Sequence, residues 1–157
     1  MEPPAVFTSY SHDSPEHEAS VLALANRLRA DGIDAALDQY ESFPPEGWDL
    51  WGQRQIQAAG FVLVVCTATY RRRFDGEEDP GKGLAAISEA WYIRQLLYNA
   101  GGVNEKFLPV LLTDADSEHI PLKLQGYHHF PLYTSSGYEE LRLLLTGQSR
   151  VRKPALC

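Results

Sequence analysis

Ser11, His12 and Asp13 are consecutive in the sequence and are the residue types of a hydrolytic triad. In such a triad the histidine takes a proton from the serine and the aspartate orients the histidine, so the three side chains converge from separate segments. Three neighbouring residues cannot form this chain of hydrogen bonds, and we interpret them as a turn that caps a helix. His128 and His129 have no matching cluster of cysteines or histidines, and the sequence therefore predicts no metal site.

Polar and aromatic residues follow two apolar segments that have the composition of β-strands, residues 5–11 and 33–38. Aromatic faces can stack on a planar ligand, and hydroxyl or carboxylate oxygens can hold its polar groups. A loop of residues 39–47, stiffened by Pro44 and Pro45, comes next and is flanked by two more aromatic residues. The candidate binding residues are Tyr10, Ser11, Asp38, Tyr40, Phe43 and Trp48.

The segments that must position these residues alternate between strands and helices. The predicted strands are residues 5–11, 33–38, 61–66, 107–112 and 128–133. The predicted helices are one that runs from Pro15 toward Gly32, and residues 48–59, 84–99 and 138–145. A helical crossover between two strands indicates a parallel pair, and the uninterrupted apolar run of residues 61–66 indicates a strand covered on both faces. Residues 67–82 read as a long polar loop.

This pattern predicts an α/β fold with a flavodoxin-like, five-stranded parallel sheet of order 2-1-3-4-5 and helices on both faces. In such a sheet, ligands bind where the strand order reverses, outside the carboxyl ends of the strands. Here that point lies between the first and third strands. We expect the crevice to be lined by residues 9–11, by the region after Cys66, and by the helix that begins near residue 84.

Composition limits the classes of function. The 157 residues include 44% hydrophobic and 22% charged residues, which suits one globular domain, and the formal net charge of −7 argues against direct nucleic-acid binding. Cys66 and Cys157 form no disulfide framework, and no apolar run is long enough for a membrane span. We expect a cytoplasmic protein with a leader of residues 1–4, a domain of residues 5–147 and a basic, flexible tail of residues 148–157.

Four segments carry a resemblance to a known family: residues 6–13 (VFTSYSHD), 28–34 (LRADGID), 37–41 (LDQYE) and 62–67 (VLVVCT). Together they resemble a SEFIR domain, a branch of the TIR superfamily, and they are more similar to its bacterial than to its animal receptor members. The first 41 residues carry the most specific part of the match, which extends from about residue 5 to residue 145.

The resemblance implies two activities. TIR-like domains associate with their own kind, and many of them also cleave NAD+ at the bond between nicotinamide and ribose, in bacteria often to kill an infected cell. The family's catalytic glutamate best matches Glu89, in the segment SEAWYIRQLLY of residues 88–98. We expect NAD+ as substrate with no further cofactor, oligomers or filaments as the active form, and an upstream sensor domain or activator. Because the 157 residues leave no room for a sensor beside this domain, we expect them to represent an isolated effector domain.

Two alternatives stay open at this point. The first is a non-catalytic adaptor that only mediates homotypic assembly. The second is a receiver domain like those of response regulators, which would need clustered acidic residues at the ends of the first and third strands. These strands end in Ser-Tyr-Ser and Cys-Thr, so the sequence does not favour a receiver.

Overall fold

The computed structural model describes residues 4–82 and 84–157 and is organised around a parallel sheet of five strands. The strands are β1 (Ala5–Ser9), β2 (Asp34–Ala36), β3 (Phe61–Val65), β4 (Phe107–Leu111) and β5 (Phe130–Pro131). Their order is β2-β1-β3-β4-β5, and each neighbouring pair runs parallel. The predicted topology is therefore confirmed.

The helices cover both faces of the sheet. They are α1 (Pro15–Ala30), α2 (Trp48–Ala58), α3 (Ala68–Phe74), α4 (Leu84–Asn99) and α5 (Ser135–Leu145). Apolar residues of α1 and α5 pack on one face, and those of α2, α3 and α4 pack on the other. Four of the five residues of β3, from Val62 to Val65, are fully buried, as the prediction of a central strand requires.

The crossover from β1 to β2 forms as its sequence predicts. Ser14 caps α1 by accepting a hydrogen bond from the backbone N–H of His17 at 3.0 Å, and Pro15 occupies the first turn, where its missing N–H is harmless. Past the end of the helix, Gly32 has a φ of 85°, a conformation that glycine adopts without a steric penalty. The chain then enters β2 beside β1, with Ala5 paired with Asp34.

The prediction of a loop over residues 67–82 is wrong for its first half, because α3 forms there. Thr67 caps this helix by accepting a hydrogen bond from the backbone N–H of Tyr70 at 3.1 Å, and Tyr70 and Phe74 bury one face of it. The run of arginines that indicated a solvated loop instead pairs with acidic neighbours: Arg71 with Asp75, and both Arg72 and Arg73 with Glu78. A single buried face sufficed for a helix this short.

Several predicted boundaries also shift. β1 ends at Ser9 rather than at residue 11, β5 has only two residues, and α5 begins three residues before the predicted position. Asp38–Tyr40, which follows β2, forms a 3₁₀ turn. These are element ends, where the hydrophobic pattern carries the least information.

Both chain ends were expected to lie outside the domain. Of the predicted leader, only Pro4 falls within the described residues. Residues 148–157 are exposed and form neither helix nor strand, and their flexibility stays a prediction. Among the described residues, no helix is both long enough and apolar enough to cross a bilayer.

Candidate active site

A crevice of about 330 Å³ lies at the carboxyl edge of the sheet, beside the end of β1, and none of the described residues that line it comes from the predicted region directly after Cys66. It is lined by His12, Asp38, Trp48, Trp51 and Glu89. The lining residues come from the loops after β1 and β2 and from helices α2 and α4. This is the position at which an open parallel sheet binds its ligands.

Glu89 lies in the second turn of α4 and is held by the end of β1. The Ser9 hydroxyl donates a hydrogen bond of 2.6 Å to Glu89 Oε2, and Ser9 is also 2.8 Å from the hydroxyl of Tyr70. Burial raises the pKa of Glu89 to about 7 and outweighs the Ser9 hydrogen bond, which lowers it; the negative charges of Asp38 and Asp49 raise it further. The carboxyl group therefore changes charge near neutral pH.

His12 and Asp38 form an ion pair on one side of the crevice. His12 Nε2 is 2.8 Å from Asp38 Oδ2, and His12 Nδ1 is 2.7 Å from Glu18 Oε1. These hydrogen bonds, chiefly the one to Asp38, raise the pKa of His12 to about 9 against the opposing effect of burial. Burial raises the pKa of Asp38, but the hydrogen bonds from His12 and Tyr10 outweigh it and leave the pKa below its usual value. Both groups are therefore charged at neutral pH.

Two tryptophans form the aromatic wall of the crevice. The rings of Trp48 and Trp51 meet edge to face with centroids 5.6 Å apart, and Trp51 also packs edge to face against Phe7 at 5.7 Å. Trp51 is buried, whereas 45% of Trp48 is exposed. Trp51 thus contacts both the core and the crevice, and Trp48 leaves part of its aromatic surface exposed at the crevice.

Gly52 allows α2 to approach the Glu89 carboxylate closely. A Cβ atom at Gly52 would lie 3.1 Å from Glu89 Oε1 and 3.5 Å from its Cγ. Any side chain at this position would press on the carboxylate. The glycine therefore leaves Glu89 room to point into the crevice.

Of the six predicted binding residues, Asp38 and Trp48 line the crevice together with Glu89. Tyr10 is buried and donates a hydrogen bond of 2.6 Å to Asp38, so it orients this carboxylate from the core side. Ser11 is fully buried between Asp13 and Thr67. The structure does not bring these two side chains to the crevice surface.

The other two predicted residues lie outside the crevice. The Tyr40 hydroxyl donates to Asn26 Oδ1 of α1 at 2.6 Å, so this side chain packs away from Glu89. Phe43 is 87% exposed on the loop of residues 39–47. A role in NAD+ binding for these side chains, as for Tyr10 and Ser11, stays a prediction.

Sequence reasoning missed His12 and Tyr70 as parts of the site and left Trp51 open between core packing and ligand contact. The sequence predicts a turn at His12 and a loop at Tyr70. His12 is the first charged residue after β1, which is a usable signal for a residue at this edge of the sheet. No sequence signal places Tyr70 beneath Ser9, since the two residues are 61 positions apart.

The strand order, with a carboxylate-bearing crevice at the carboxyl edge of the sheet, is that of a flavodoxin-like α/β domain and matches the TIR-like fold. The family model of the SEFIR domain matches residues 4–137, and the chain therefore belongs to the SEFIR family. Its structure is similar to one described as "Crystal Structure of a prokaryotic SEFIR domain", with a TM-score of 0.72 and 26% identity over 98% of this chain and 99% of that chain. The resemblance to bacterial SEFIR domains is confirmed, and it makes this a signalling or protein-interaction domain.

Proposed function

We propose that this domain cleaves NAD+ at the bond between nicotinamide and ribose, with Glu89 as the catalytic carboxylate. We further propose that it acts as an effector of bacterial immunity and becomes active on self-assembly under an upstream sensor or activator. The observation that carries the proposal is the position of Glu89, in a crevice with a second carboxylate and an aromatic wall.

The charge of the crevice suits the nicotinamide half of NAD+. The nicotinamide ring of NAD+ is a pyridinium cation, and cations are attracted both to carboxylates and to the faces of aromatic rings. Glu89 supplies a carboxylate and Trp48 an exposed aromatic surface, whereas the charge of Asp38 is balanced by the protonated His12. NADH, whose dihydronicotinamide ring is neutral, lacks the charge that this arrangement favours.

The size of the crevice suits the same half of the substrate. Its volume of about 330 Å³ lies near the lower end of the range for small-molecule pockets. The nicotinamide and its ribose fill such a space, and the phosphates and adenine then extend beyond it. Trp48, at the start of α2, lines the crevice and is 45% exposed, so its ring is available to this outer part of the substrate.

The proposed chemistry needs one carboxylate and no metal or added cofactor. When the bond between ribose C1′ and the pyridinium nitrogen breaks, its electron pair goes to nicotinamide, which leaves as a neutral molecule and needs no proton. The ribosyl centre becomes electron-poor, and a nearby carboxylate stabilises it directly or by holding the ribose hydroxyls. In hydrolysis, water then bonds to C1′ and releases its proton to solvent.

Glu89 must be ionised to act in this way. Its pKa of about 7 means that a substantial fraction is protonated at neutral pH. A pyridinium cation bound beside it favours the charged form, so the substrate itself lowers this pKa. Asp38, whose pKa is already low, is the next candidate for the active carboxylate.

A non-catalytic adaptor is the second candidate function. It is favoured by the loop of residues 39–47, which exposes Phe43 to solvent beside a proline pair. An exposed aromatic side chain on a stiff loop can dock on another protein with little loss of conformational entropy. TIR-like domains mediate homotypic interactions, and this loop fits that role whether or not Glu89 is catalytic.

The replacement Glu89→Gln separates the two candidates. Glutamine has nearly the same size, so folding and self-association should persist, but it lacks the negative charge. We expect nicotinamide release to fall by about 10²–10³, the typical loss for one well-placed electrostatic contact. Release should be measured at high protein concentration or under crowding, because assembly is expected to activate the domain.

Glu105→Gln is the matched control, since Glu105 is exposed in the segment before β4 and far from the crevice in the fold. It should release nicotinamide like the wild type. Release that persists in Glu89→Gln would move the active carboxylate elsewhere, to Asp38 first. No release from the wild type in any assembled state would contradict the proposed activity and favour the adaptor.

A further inference from the structure

Two hydroxyl groups and one carboxyl group form a continuous chain of hydrogen bonds beside the crevice. The Tyr70 hydroxyl of α3 is 2.8 Å from Ser9 Oγ at the end of β1, and Ser9 Oγ is 2.6 Å from Glu89 Oε2 on α4. Tyr70 and Ser9 are each only 1% exposed. The chain therefore links Glu89 to two groups that neither solvent nor a ligand in the crevice can contact.

The direction of the hydrogen bonds in this chain follows from its chemistry. Within residues 4–82 and 84–157, the Tyr70 hydroxyl forms no other hydrogen bond, and burial raises its pKa far above the usual value, so it keeps its proton. An ionised carboxylate can only accept, and a serine hydroxyl has a single hydrogen to donate. Tyr70 thus donates to Ser9, and Ser9 donates to Glu89.

We propose that Tyr70 and Ser9 are positioning residues for Glu89, with Tyr70 committing the single Ser9 hydrogen to Glu89 Oε2 while Oε1 stays free for a ligand. Among the described residues, Oε1 accepts no hydrogen bond, and it lies beside Gly52, where a Cβ would be only 3.1 Å away. The catalytic consequence rests on the proposed function, whereas the effect on Glu89 itself does not.

Glu89 needs such support because the start of its helix cannot supply it. The free N–H groups and the positive end of a helix dipole act within the first turn, and Glu89 is the sixth residue of α4. Charged groups from three different segments surround Glu89, and they shift its pKa in opposite directions. Asp38 and Asp49 raise its pKa, and His12 lowers it. Among the described residues, the Ser9 hydrogen bond is the one direct contact that favours the ionised form of Glu89.

Removal of the Tyr70 hydroxyl should destabilise the ionised form of Glu89 relative to the protonated form without disturbing the core. In Tyr70→Phe the ring keeps its stacking on Phe74, at a centroid distance of 6.1 Å, but Ser9 loses its donor and can turn its own hydrogen elsewhere. Hydrogen bonds in a chain strengthen one another by roughly 10–30% each, so we expect the pKa of Glu89 to rise by about half a unit. Ser9→Ala, which removes the direct donor, should raise it by about one unit or more.

The test is a carboxyl titration that does not depend on activity. Protein labelled with ¹³C at the glutamate side-chain carboxyl is titrated by NMR, and the Glu89 signal is assigned by its loss in Glu89→Gln. The apparent pKa of Glu89 should increase from the wild type to Tyr70→Phe to Ser9→Ala. Tyr138→Phe is the matched control, because Tyr138 is also buried and hydrogen-bonded but lies on the other face of the sheet, where it donates to Asp31.

Identical titration of Glu89 in the wild type and Tyr70→Phe would overturn the proposal. If the protein releases nicotinamide, the pH–rate profile of Tyr70→Phe should move to higher pH by the same amount. The rate of nicotinamide release by Tyr70→Phe would then be about threefold below that of the wild type on the acid side of the profile and equal to it on the alkaline plateau. A titration shift in a protein that cleaves no NAD+ in any assembled state would leave the hydroxyl chain in place and reject the proposed activity.

Discussion

Ionisation of the Glu89 carboxyl group has opposite effects on the stability of the fold and on the proposed catalysis. Glu89 lies mostly out of water, next to other carboxylates, and the pKa of about 7 is the result. Because the pKa is higher in the folded than in the unfolded chain, the folded state holds this proton more tightly, and ionisation destabilises the fold. The negative charge that we propose for catalysis therefore lowers the stability of the domain.

This opposition predicts a pH-dependent effect of Glu89→Gln on stability. The contribution of the Glu89 proton is fully present below pH 4.5, the unfolded value, and is lost as the pH rises through about 7. From pH 5 to pH 8 the variant should therefore gain stability relative to the wild type. Each unit of pKa corresponds to about 1.4 kcal/mol. Since Glu89 is partly exposed, screening reduces the expected gain to about 1–2 kcal/mol.

Thermal unfolding of both proteins at several pH values measures this difference. For a chain of this length, 1 kcal/mol moves Tm by about 2–4 °C, so the change is within reach of calorimetry. His12, with a pKa of about 9, also alters stability with pH, and comparing the two proteins removes its contribution except for the part that comes from its interaction with Glu89. A Tm difference between the proteins that is the same at pH 5 and pH 8 would contradict the burial of an ionisable Glu89.

At the scale of the elements, the loop between β2 and α2 combines two roles. Pro44 is buried, whereas Phe43 and Pro45 on either side of it are exposed. Glu46 accepts a salt bridge of 3.0 Å from Arg54 of α2, which ties the end of the loop to the helix. The loop is thus anchored from within and presents an aromatic side chain outward.

We therefore expect Phe43→Ala and Pro45→Gly to weaken self-association. The first removes exposed apolar area, and the second makes the loop less rigid, so that docking loses more entropy. Sedimentation velocity over a range of concentrations measures the effect, and thermal stability should change little, because both positions are exposed. Pro44→Gly serves as a contrast, since the burial of Pro44 predicts a loss of thermal stability as well. Unaltered sedimentation of Phe43→Ala, from a wild type that associates, would place the interface elsewhere.

At the scale of the whole molecule, the net charge of −7 opposes assembly. Copies of the domain repel one another at long range, and salt screens this repulsion within about 10 Å at 0.1 M. Apolar contacts, such as those we propose for Phe43 in an assembly, are not weakened by moderate salt. Added salt therefore weakens the repulsion between copies but leaves the apolar contacts between them intact.

Self-association should accordingly strengthen as salt rises from about 50 to 300 mM. Light scattering or sedimentation at fixed protein concentration checks this, and nicotinamide release should rise in parallel if assembly activates the domain. Phe43→Ala should show a weaker response at every salt concentration. Association that weakens with salt would indicate that the interface depends on ion pairs instead.

The fold was largely predictable because its strongest signals are local. The uninterrupted apolar run of β3 requires cover on both faces, and the strand–helix–strand unit at the amino end requires a parallel pair. Helix α3 was missed because it is short and rich in arginine, and its formation depends on the Thr67 cap and on the burial of Tyr70 and Phe74. That burial exists only once α3 packs against the sheet and α4.

The sequence by itself determined the strand order and, with it, the edge of the sheet at which Asp38, Trp48 and Glu89 meet. Parallel strands direct all their carboxyl ends to one side, so position along the chain is enough to predict this edge. Only the tertiary structure decided which side chains touch: His12 turns to Asp38, Tyr10 lies beneath it, and Tyr70 reaches Ser9 from a helix 61 residues away. Hydrogen bonds depend on distances of a few tenths of an ångström and on side-chain direction. Residues far apart in sequence acquire both only when the packed elements fix their backbones relative to one another.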